Sequence, residues 1–89
     1  MSYRLAPQVA WVPADGGLFV LRLRTDAVPV FLGGPAAVIL AAALGATGPE
    51  AVIARAAADA SVPAEEIAAD VHAFLAELIA AGYLIDTAD

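Results

Sequence analysis

A-V-P-V-F-L-G-G-P-A-A-V-I-L-A-A-A-L-G-A-T-G-P, Ala27 to Pro49, is the stretch on which the fold turns. Its 23 residues carry no charge, and as one helix that length would cross a bilayer. Gly33-Gly34-Pro35 divides the run, however, and Pro29 interrupts its first part. The helical remainder, Pro35 to Leu44, extends only about 15 Å at about 1.5 Å per residue, half the hydrocarbon thickness. The run therefore reads as two elements, a strand over Ala27–Leu32 and a short helix. Within the strand, Val28, Val30 and Leu32 share a face by period two, and Phe31 points the other way. Pro29 cannot donate a ladder hydrogen bond, which puts this strand at a sheet edge.

Upstream, Gln8–Pro13 (Q-V-A-W-V-P) and Leu18–Arg24 (L-F-V-L-R-L-R) read as two more strands around Ala14-Asp15-Gly16-Gly17. Leu21 and Leu23 alternate with Arg22 and Arg24, and Thr25-Asp26 makes the next turn. Downstream, Pro35 suits the first turn of a helix containing Val38, Ile39 and Leu44, closed by Gly45. Thr47-Gly48-Pro49-Glu50 has the spacing of a capping box for a second helix to about Asp59, with Val52, Ile53 and Ala56 inward. Val62-Pro63-Ala64-Glu65-Glu66 opens a third, where proline and acids favour the first turn. Ile67, Val71, Phe74, Leu75 and Leu78 form its apolar stripe, and Gly82 stops it, leaving Tyr83-Leu84-Ile85 to pack back. The expected fold is α+β: a three-stranded antiparallel sheet followed by three helices, in one domain over residues 1–89.

Composition narrows the function classes. Of 55 hydrophobic residues in the 89, 24 are alanine, so 31 larger ones must build the core. With no cysteine and only His72, the chain has no disulfide, no thiolate or His-rich metal site, and no Ser-His-Asp triad of its own. Catalytic residues, cofactor and metal are accordingly expected to be absent. Residues 1–48 carry a net +1, while residues 49–89 set Arg55 against eight acids for −7. Helices so acidic repel phosphate backbones, which argues against nucleic acid as a partner. The N-terminus lacks the pattern of a secretion signal, so a soluble cytoplasmic chain with no membrane partner is expected.

The ordered strings carry a resemblance. L-G-G-P-A-A-V-I-L-A-A-A-L-G (Leu32–Gly45), then E-A-V-I-A (Glu50–Ala54), resemble the first two helices of PqqD-like proteins. V-P-A-E-E-I-A-A-D-V-H-A-F-L-A-E-L-I-A-A-G-Y-L (Val62–Leu84) is similar to their third helix, with Asp70-Val71, Phe74-Leu75, Leu78 and a Gly82/Leu84 exit. G-G-L-F-V-L-R-L-R-T-D resembles their second strand and turn, and the likeness runs from about Tyr3 to Ile85. It implies a winged helix-turn-helix-like, stand-alone recognition element for ribosomally synthesised, post-translationally modified peptides (RiPPs). Such elements bind the leader of a precursor peptide and present its core to a modifying enzyme.

In that family the leader adds as a strand to the third strand, in the groove beside the third helix. An edge strand next to an amphipathic helix is, independently, a template for β-augmentation. By position, the resemblance assigns the groove to Ala27, Val28, Val30 and Phe31 of the strand. From the helix it takes Glu66, Asp70, Ala73, Phe74 and Glu77. Glu66, Asp70, Ala73 and Glu77 lie on one helix stripe whose carboxylates could orient a leader bearing Lys or Arg. The implied partners are the precursor peptide and a separately encoded maturation enzyme, either a leader protease, as in lasso-peptide pathways, or a radical-SAM enzyme. The exposed third strand would also let two copies pair as a homodimer. Gly33 departs from the family's usual polar residue, often asparagine, and Pro29 lies where a leader strand would pair.

Plainer readings stand beside these. An acidic stripe is what any solvated helix face presents, Val71 and Phe74 fit ordinary core, and His72 is expected to face solvent. Trp11 fits a partly buried sheet residue, and Pro29 an edge blocker against aggregation. A DNA-binding winged helix shares the architecture but would carry a basic recognition helix. An acyl or peptidyl carrier protein needs a serine at a helix start, and the one internal serine, Ser61, stands in A-S-V-P.

Overall fold

Alternation in L-F-V-L builds the central strand of the sheet, because Leu18 and Val20 both point inward and are buried. In the computed structural model, which describes residues 2–87, that strand is β3 (Gly17–Arg22). It follows β1 (Ser2–Leu5) and β2 (Val9–Ala14) and precedes β4 (Val30–Gly33). Then come α1 (Pro35–Ala43), α2 (Pro49–Ala60), α3 (Ala64–Ala80) and a last strand, β5 (Leu84–Thr87). The antiparallel sheet has the order β2-β3-β4, so the expected α+β architecture of three antiparallel strands followed by three helices is what the chain adopts. No helix of the described residues is long and apolar enough to cross a membrane.

The core lies between this sheet and the helices. Leu40, Val20, Val52, Val71 and Leu84 are its largest fully buried side chains, contributed by α1, β3, α2, α3 and β5. Between them sit Ala43, Ala46 and Ala56, none with any exposed surface. A methyl group at a helix contact lets the backbones approach closely, so alanine here provides fit while the larger residues provide most of the buried area. Among the described residues no polar or charged side chain is buried.

Four local expectations are corrected. The ends of the chain form a second sheet, β1 against β5, with Tyr3 opposite Asp86 and Arg4 opposite Ile85. Each strand is four residues long, too short to show a period, and their pairing joins opposite ends of the chain. Tyr3 also exchanges backbone bonds with the turn after α1, its N–H donating to Ala46 and its carbonyl accepting from Gly45. The strand expected to reach Arg24 ends at Arg22, and Leu23 stands 57% exposed in the following turn. The strand expected from Ala27 begins only at Val30, because the chain bends at Ala27 and Val28 before it joins the ladder.

The fourth correction concerns Thr47. It does not cap α2: Pro49 takes the first helical position, which makes Gly48 the cap and leaves no side-chain cap bond. Thr47 is therefore one residue too early for a capping box, and Glu50 acts only as a first-turn acid favourable to the helix dipole. At the other end of α2, Ser61 adopts the left-handed conformation with φ of 57°, its N–H donating to Ala57 and Ala58. That serine closes a helix rather than opening one, which is the wrong place for a carrier arm.

Two substitutions probe the packing. Ser61→Gly removes the cost of a side chain in the left-handed region, and urea unfolding should show a gain of about 0.5–1 kcal/mol. Leu40→Ala, by opening a cavity in a small core, should cost about 2–5 kcal/mol in the same measurement.

Candidate functional site

The open edge of β4 is set by the ladder on its other side. Leu32 lies opposite Leu18 and Val30 opposite Val20, and the Gly34 N–H donates to the Gly16 carbonyl at 3.2 Å. Antiparallel backbone groups alternate in direction, so Val30, Leu32 and Gly34 face β3. Phe31 and Gly33 consequently present their N–H and C=O groups outward, and no strand of the described residues pairs with them. The approach of β3 to β4 demands glycine at position 17. A Cβ there would collide with the Leu32 carbonyl oxygen.

The side chains of β4 divide between the two sheet faces. Val30 and Leu32 lie on the inward face with Leu18 and Val20, and Leu32 is half-buried. Phe31 lies on the outer face, where its ring meets Phe19 edge-on at 5.2 Å. Phe31 thus offers an incoming strand its backbone groups, while its side chain points away from the helices. Ala27 and Val28 precede the strand in a bend, both exposed, with Val28 at 70%. Trp11, expected to be partly buried, is 40% exposed on the opposite edge strand, β2.

On α3, Glu66, Asp70, Ala73 and Glu77 are all exposed, and Phe74 is half-buried against the core. His72 faces solvent and Val71 is fully buried. Among the described residues none of the three carboxylates on that stripe has an ion-pair partner. β4 packs chiefly on β3 and α1, and α3 packs on α2, α1 and β5, so α1 is the wall that links the strand to the helix. At the head of that wall Pro35 and Val38 join Ala60, Val62, Ile67 and Asp70 around an apolar pocket of about 320 Å³.

A clasp that no sequence pattern announced holds the chain on the way into β4. The Arg22 guanidinium donates to both carboxylate oxygens of Asp26, with Nη2 to Oδ1 at 2.8 Å and Nε to Oδ2 at 3.3 Å. The Arg22 backbone N–H donates to Oδ2 at 2.9 Å, and Nη1 reaches the Ala81 carbonyl at 2.9 Å. The same guanidinium lies 5.1 Å from the centroid of the Tyr83 ring. One arginine therefore ties the β3–β4 turn to the end of α3, where the helix dipole favours a cation. The hydrogen bonds from Arg22 hold the Asp26 carboxyl below its ordinary range. The R-x-x-x-D spacing is visible in the chain, but with Arg22 assigned to an alternating strand nothing indicated that its side chain folds back.

Known proteins share this arrangement of strands and helices. A family model described as coenzyme PQQ synthesis protein D (PqqD) matches residues 18–84, from β3 to the start of β5. A solved structure described as "TbiB1 in Complex with the TbiA(beta) Leader Peptide" superposes with a TM-score of 0.76. The two chains are 22% identical over 97% of this chain and 99% of that one, a likeness of fold. No curated protein matches the sequence.

The clasp has a pH signature. Because the folded-state pKa of Asp26 is depressed, its contribution is complete above the ordinary carboxylate range and is lost as pH falls through the lower folded value. Thermal unfolding of wild type and Asp26→Asn should therefore differ most near neutrality, with wild type more stable, and converge as the pH falls below the ordinary carboxylate range. A gap that stays constant on acidification would contradict the clasp.

Proposed function

The chain belongs to the PqqD family, and on that premise we propose that it binds the leader region of a ribosomally synthesised precursor peptide by strand addition to β4. The bound leader is then delivered to a separately encoded modifying enzyme or leader protease. The observation that carries this reading is the open edge of β4, with outward backbone groups at Phe31 and Gly33. Main-chain bonds supply affinity in such an addition, and pockets for alternate side chains supply selectivity. The complex of TbiB1 with a leader peptide supports it as a precedent on the same fold.

The chain acts here as a docking module in the cytoplasm, with no catalysis of its own. Val30 faces the groove on the strand side, with Ala27 and Val28 at its entry and Phe31 contributing backbone. Phe74 and Ala73 form the apolar and small-residue part of the helix side, and Glu66, Asp70 and Glu77 steer a basic leader. When no leader is bound, the same edge is where two copies would pair. A DNA-binding role fits poorly, because α3 carries Glu65, Glu66, Asp70 and Glu77 and no lysine or arginine.

Fluorescence polarisation with a labelled peptide spanning the leader of a precursor peptide encoded beside this chain's gene tests the proposal. Saturable binding is expected, and none at tens of micromolar would overturn it. Phe31→Pro removes an outward donor that β3 does not use, and with it the ring contact to Phe19. It should weaken binding by about 1 kcal/mol, roughly fivefold, relative to Phe31→Ala, which loses the same ring contact but keeps the donor. Asp70→Lys should weaken binding of a basic leader most at low salt.

A further inference from the structure

An antiparallel sheet with one face on a core usually alternates apolar residues inward with polar residues outward. The β2–β3–β4 sheet does not. Leu18 and Val20 of β3 are buried against the helices, which turns Gly17, Phe19 and Leu21 to the outer side. Residues directly opposite in a ladder share a face, so Val12, Phe19 and Phe31 form one row across the three strands. Ala14 and Gly33 flank Gly17 in the next row, and Ala10 lies beside Leu21. No outward position of the sheet therefore carries a polar or charged side chain.

The central row is open to solvent, with Val12 at 61%, Phe31 at 47% and Phe19 at 40% exposure. The Phe31 ring leans back over Gly33, where a Cβ would stand 2.8 Å from it, and this keeps the aromatic row low on the sheet. The composition of the face selects its occupant. It offers no charge or side-chain hydrogen bond by which a different protein would be specified, and interfaces between like subunits are the more apolar ones. Charge distribution agrees. The residues with net −7, 49–89, form α2, α3 and β5, and the helices lie behind the inward face. Two sheets stacked outer face to outer face hold those acids apart.

We propose that the outer face of this sheet binds a second copy of the chain, sheet on sheet, around the Val12–Phe19–Phe31 row. The two sheets stack about 10 Å apart. A two-fold axis between them, along β3, sets Phe19 against its own mate and Val12 of one protomer over Phe31 of the other. Three strands about 4.8 Å apart and four to six residues long present roughly 250 Å², well short of the about 800 Å² per partner of a permanent complex. The pair is therefore a reversible one. It uses side chains of the face and none of the outward backbone groups of Phe31 and Gly33, so both β4 edges stay open, and it stands independently of strand addition there.

Sedimentation velocity of the full chain from about 10 µM to about 1 mM tests it. The average mass should rise from one chain toward two, with a midpoint on the order of 0.1–1 mM. Over the same range the amide NMR signals of residues 10–12 and 17–21 should shift while those of α3 stay in place. Phe19→Asp, whose backbone is held inside the ladder, and Val12→Asp each set a carboxylate in the apolar contact and should weaken association about tenfold or more. Circular dichroism verifies that both variants fold. Added salt should strengthen the pair, because it screens repulsion between two chains of net −6 and breaks no ion pair on the face. A mass of one chain throughout would overturn the proposal. So would a dimer indifferent to both aspartates yet lost in Phe31→Pro, which would be pairing through the β4 edge. Association that weakens with salt would place the contact on charged groups elsewhere and overturn it too.

Discussion

The four-residue ladder between β3 and β4 is the contact on which the rest of the molecule depends. Its inward pairs, Leu18 with Leu32 and Val20 with Val30, set the sheet against α1. Its hydrogen bonds occupy one side of β4 and so define the other as the open edge. The ladder is short because the chain turns away at both ends. It begins after the bend at Ala27 and Val28, and after Gly33 the chain turns through Gly34, at φ of 57°, into α1. A strand bounded in this way exposes few unpaired groups, too few to invite indiscriminate sheet growth.

Two further devices keep that edge in position. The Arg22–Asp26 clasp fixes the turn leading into β4 and reaches the carbonyl of Ala81 at the end of α3. The β1–β5 sheet joins the chain ends and anchors, through Tyr3, the turn that follows α1. The helices, rich in alanine, pack closely without filling every corner, and the pocket between Pro35, Ala60 and Ile67 is one result. The acids collect on the exposed side of α3, where repulsion among them is relieved by solvent in the free protein and would be relieved further by a cationic peptide.

Much of this was legible in the sequence, element by element. Period two in L-F-V-L, the Ile67–Val71–Phe74–Leu75–Leu78 stripe, and the stops at Gly45 and Gly82 are local signals. Both glycines adopt the positive φ that a helix exit requires. The motif order of the family was legible too, and the match over residues 18–84 agrees with it. What misled was local chemistry overridden by a neighbour. Thr47 had capping-box spacing, but Pro49 set the helix start. Leu23 continued an alternating pattern, but Arg22 turned back to hold Asp26 and ended the strand.

The amino-acid sequence alone therefore determined the types and order of the central elements, the edge position of the third strand, and the acidity of the helical half. Each of these follows from residues close together in the chain. The tertiary structure alone decided which backbone groups of β4 face outward and which side of the sheet Phe31 occupies. It also decided that the two ends of the chain pair, that Arg22 reaches Ala81, and that three helices enclose a pocket rimmed by Asp70. These depend on register and on side chains meeting across long sequence separations, where periodicity carries no information.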